Sequence, residues 1–86
     1  MPRPINVIAL DIEFNWANIS PHARPYLDAM LEMNRIDEPY YYEPDCKGTL
    51  LYFLSNAEGW RGEDARRIKK ELNAMCDGHD TYGGQK

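Results

Sequence analysis

The sequence predicts a mainly α domain, an α+β edge case with one N-terminal strand at about 6–14. Three helices follow at about 24–34, 46–58 and 62–76, the second of them central. Three observations lead there. From Ile5 to Phe14 apolar residues alternate, the period of a strand. Beyond Arg24 they recur at steps of three and four, the period of a helix. The chain has 86 residues, 43 % hydrophobic and 28 % charged, enough for one core and no second.

In the strand, Ile8, Leu10, Ile12 and Phe14 line one face, with Val7, Ala9, Asp11 and Glu13 on the other. A lone strand leaves backbone donors and acceptors unpaired, at a cost of about 1–3 kcal/mol for each buried group. Its partner is either the extended piece around Tyr40–Glu43 or the same strand in a second protomer. Closed two-fold dimers are the commonest oligomers. The chain is therefore expected to be a homodimer paired through the face of Ile8, Leu10, Ile12 and Phe14.

Ser20-Pro21 has the form of a helix start, but Pro25 removes a helical hydrogen bond and moves the regular helix to Arg24-Pro25. Tyr26, Leu27, Met30, Leu31 and Met33 then form an apolar stripe. Pro39, Pro44 and the tyrosines Tyr40, Tyr41 and Tyr42 mark an ordered loop. Asp45 is an N-cap for a helix that is apolar around most of its circumference, from Leu50 to Leu54 and Ala57, and Gly59 stops it. In the last helix Glu63 and Asp64 suit the positive end of the helix dipole, and Ala65, Ile68, Leu72 and Met75 form the buried stripe. Glu63–Arg67 and Arg67–Glu71 are spaced to pair on the wet face. Residues 1–76 form a single domain, and 77–86 read as a flexible polar tail.

Several function classes are disfavoured. No run approaches the ~20 apolar residues of a membrane span, and no basic-then-apolar leader opens the chain. The net charge of −4 disfavours a generic nucleic-acid binder. Cys46 and Cys76 are too few for a disulfide framework and are expected to be reduced thiols. Cys76 and His79 with Cys46 fall short of a structural zinc set, so neither metal nor cofactor is expected. His22, at a helix start, suits a capping or surface role.

Ile8-Ala9-Leu10-Asp11-Ile12-Glu13 resembles the first motif of exonucleases in which an Asp-x-Glu on a strand helps hold two metal ions. Those enzymes build the site on a five-stranded sheet, for which this chain has too few strands and no second acidic motif. A nuclease-like fragment using Asp11 and Glu13 is therefore a remote alternative, and no enzyme is expected.

The charge is uneven. Residues 26–46 hold six carboxylates against Arg35, and residues 61–70 hold five cations against two carboxylates. Trp60 between two helices either plugs their gap or anchors a partner. Candidate contact residues are Tyr40, Tyr41, Tyr42, Trp60, Arg61, Arg66, Arg67 and Lys70. The alternative is weak, salt-sensitive nucleic-acid binding by Arg61, Arg66, Arg67, Lys69 and Lys70.

Two runs, Pro21-His22-Ala23-Arg24-Pro25-Tyr26-Leu27-Asp28-Ala29-Met30 and Tyr52 through Lys69, resemble a family of small proteins of no assigned activity encoded by phages of actinobacteria. The resemblance covers about residues 12–75. It implies a phage accessory protein in the cytoplasm of an infected bacterium and carries over no site residues. The expected function is non-enzymatic protein–protein binding, to itself, to a host protein, or to both.

Overall fold

A computed structural model describes residues 3–79, and these form four helices: α1 (Ile5–Asn15), α2 (Arg24–Met30), α3 (Lys47–Ser55) and α4 (Glu63–Asp77). Among the described residues there is no strand; Tyr40 and Glu43 form an isolated bridge.

The segment expected as a strand is helix α1, and the set Ile8, Leu10, Ile12, Phe14 is split by it. Ile5, Ile8, Ala9 and Ile12 are buried at spacings of three, four and seven, and Trp16 continues their line into the core. Leu10 and Phe14 lie in water with Val7. A helix satisfies its own backbone, which removes the need for a pairing strand. Its first turn is capped by distant backbone: the Ile5 and Asn6 N–H groups donate to the carbonyls of Asn34 and Met33 at 2.8 and 2.9 Å. The Asn6 side-chain amide also donates to Met33 at 2.7 Å.

This cap explains why α2 is shorter than expected. It starts at Arg24 with Pro25 in its first turn but ends at Met30, and the chain turns through Leu31–Met33 to present its carbonyls to α1. α3 begins where Asp45 Oδ1 accepts the Lys47 N–H at 3.0 Å, and it ends at Ser55, short of Gly59. There the Asn56 amide side chain bonds the Tyr52 carbonyl at 2.8 Å, and a turn to Trp60 follows.

α3 is not central. The helices close a ring in which α1 packs on α2 and α4, and α3 packs on the same two; α1 and α3 face each other across a diagonal. α3 buries Leu50 and Phe53 and leaves Leu51 and Tyr52 exposed. One apolar cluster fills the ring. Within it Trp16 stacks on Trp60 at 5.3 Å and meets Phe53 edge-on at 6.2 Å.

α4 agrees closely with its expected bounds and buries Ala65, Ile68, Leu72 and Cys76. Gly62 precedes it at φ 111° and ψ −179°, a conformation open only to glycine. The expected Glu63–Arg67 and Arg67–Glu71 pairs do not form. Arg67 instead reaches Asp64 at 3.0 Å and Asp11 of α1 at 3.2 Å, and Glu71 takes Arg3. Residues 77–79, expected in the tail, belong to the fold. Asp77 ends α4, and His79 Nε2 lies 3.0 Å from Asp45 Oδ2, while Lys47 Nζ donates to the His79 carbonyl at 2.9 Å. Residues 80–86 of the expected tail lie outside the described residues.

Candidate functional site

α1 is apolar on both of its faces. The inward face carries Ile5, Ile8, Ala9 and Ile12, all fully buried. Directly opposite, Val7, Leu10 and Phe14 follow at steps of three and four, with 41, 57 and 88 % of their surface exposed. A helix apolar all round is expected to be buried, and this one is covered on one side.

Charged rails border the outward face. On the α4 side Arg3 grips Glu71 through Nε and Nη2 at 2.9 and 2.7 Å and reaches Asp11 at 3.1 Å. Arg67 joins at 3.2 Å, and the Asn15 amide donates to Asp11 Oδ1 at 2.7 Å. The hydrogen bond from Arg67, then the one from Arg3, hold the Asp11 carboxyl below its ordinary range against the opposing effect of burial. On the α2 side Arg24 pairs with Glu13 and Asp28. Residues two apart on a helix do not share a face. Asp11 and Glu13 therefore point to opposite rails, and the structure does not bring them together around one ion. Among the described residues no group of three His, Cys, Asp or Glu side chains is clustered to hold a metal.

The tyrosines form a second exposed feature. Tyr40 and Glu43 exchange two backbone hydrogen bonds, 3.1 and 2.9 Å, which close a tight turn with Tyr41 and Tyr42 at its tip. Tyr41 is 81 % exposed at φ 54°, a left-handed conformation costly for an aromatic residue, and Tyr42 is fully exposed. Tyr40 is the anchor. Its hydroxyl donates to Glu32 at 2.8 Å, and burial followed by that bond pushes its pKa up to about 12.

Other candidates are scattered or closed off. Trp60 is only 4 % exposed, so it plugs the core and offers no anchor to a partner. Arg67 is spent on Asp11 and Asp64, and Lys69 donates to the Trp60 carbonyl at 2.7 Å. Arg61, Arg66 and Lys70 make no ion pair among the described residues, which leaves three open cations of the five expected. Burial raises the Cys76 thiol and pushes Cys46 up to about 11, and the Cys46 thiol donates to the Glu38 carbonyl at 3.3 Å.

A cleft of about 610 Å³ lies between the N-terminal segment, the Asn34–Asp37 loop and the end of α4. Its arginines are engaged, Arg3 by Glu71 and Asp11, Arg35 by both oxygens of Asp37. The strand reading sets Val7 on the face of Asp11 and Glu13, and so does not group it with Leu10 and Phe14. The steps of three and four linking Val7, Leu10 and Phe14 were the signal that could have found it. Compared with protein-family models, with curated proteins and with solved structures, the chain shows no match.

Proposed function

We propose that this chain is a non-enzymatic phage accessory protein that works by binding protein, with the outward face of α1 as its contact surface. The observation that carries the reading is the row of Val7, Leu10 and Phe14, held in water directly opposite the core face. Scattered exposed apolar side chains are ordinary; a row of three along one helix face supports the reading of a contact surface. The self-association expected from the N-terminal segment is retained as helix packing in place of strand pairing. Leu10 and Phe14 keep their role, Val7 joins them, and Ile8 and Ile12 leave it for the core.

Affinity capture from bacterial lysate, together with light scattering, tests the reading. The wild-type chain is expected to self-associate or to retain proteins that a Leu10→Asp/Phe14→Asp variant releases. Identical retained sets and identical particle masses for the two chains would contradict it.

A further inference from the structure

We draw no further inference here: the strongest candidate, the cleft of about 610 Å³ between the N-terminal segment, the Asn34–Asp37 loop and the end of α4, carries none, because its two arginines are already spent on Glu71, Asp11 and Asp37 and nothing in the structure shows what occupies it.

Discussion

Trp16 lies flat on Trp60, ring centroids 5.3 Å apart and planes within 8°, and so ties the residue after α1 to the approach to α4. Phe53 of α3 meets Trp16 edge-on, so three of the four helices converge on this stack. Trp60→Ala should cost about 3–5 kcal/mol, and Trp60→Phe clearly less. Urea titration followed by circular dichroism checks both, because the fold does not rely on Trp60 reaching a partner.

Ile8 and Leu10 should respond oppositely to truncation. Ile8 is fully buried, so Ile8→Ala should cost about 2–5 kcal/mol. Leu10 is 57 % exposed, so Leu10→Ala should change stability by no more than about 1 kcal/mol. The comparison is made by urea titration at a concentration low enough to keep the chain monomeric. Equal losses would place both residues on one face, as a strand does.

The Asp11 carboxyl should make stability depend on pH in acid. Its folded pKa lies below the ordinary 3.8, chiefly through the hydrogen bond from Arg67 and then that from Arg3. The unfolded chain thus takes up its proton first. The stabilisation is present above about pH 4 and is lost as pH falls through the folded value. Melting curves of wild type and Asp11→Asn should differ most near neutral pH and converge in acid.

Both thiols should be inert in the folded chain. Cys46 and Cys76 are buried, and that burial raises the pKa of each. At pH 8 a disulfide-exchange reagent should react slowly with the native protein and rapidly with both cysteines in urea.

What could be read before folding differed from helix to helix. In α4 a polar outer face isolates Ala65, Ile68 and Leu72, so a single period fits, and its bounds were legible to within a residue. In α1 apolar side chains at Ile5, Val7, Ile8, Leu10, Ile12 and Phe14 satisfy both periods. Its cap comes from Met33 and Asn34, far along the chain, so no local start signal precedes it. The strand period puts Leu10 and Phe14 on one face with Ile8 and Ile12, whereas the helix turns the first two to solvent and the other two into the core. Tyr41 and Tyr42 are exposed, in keeping with the outward-facing tyrosine that a three-tyrosine run requires. The clasp of His79 with Asp45 has no sequence signal, because the two are 34 positions apart and only folding brings them together.

The proposed contact surface exists only because residues 5–15 form a helix that turns Val7, Leu10 and Phe14 away from the core. Nuclear magnetic resonance of the dilute chain measures this directly. Contacts between residues three apart are expected throughout 5–15, with the Ile8 and Ile12 methyl groups touching core side chains and the Phe14 ring accessible to a soluble paramagnetic probe. Extended-chain contacts over 6–14, with Ile8, Leu10, Ile12 and Phe14 all shielded together, would contradict it.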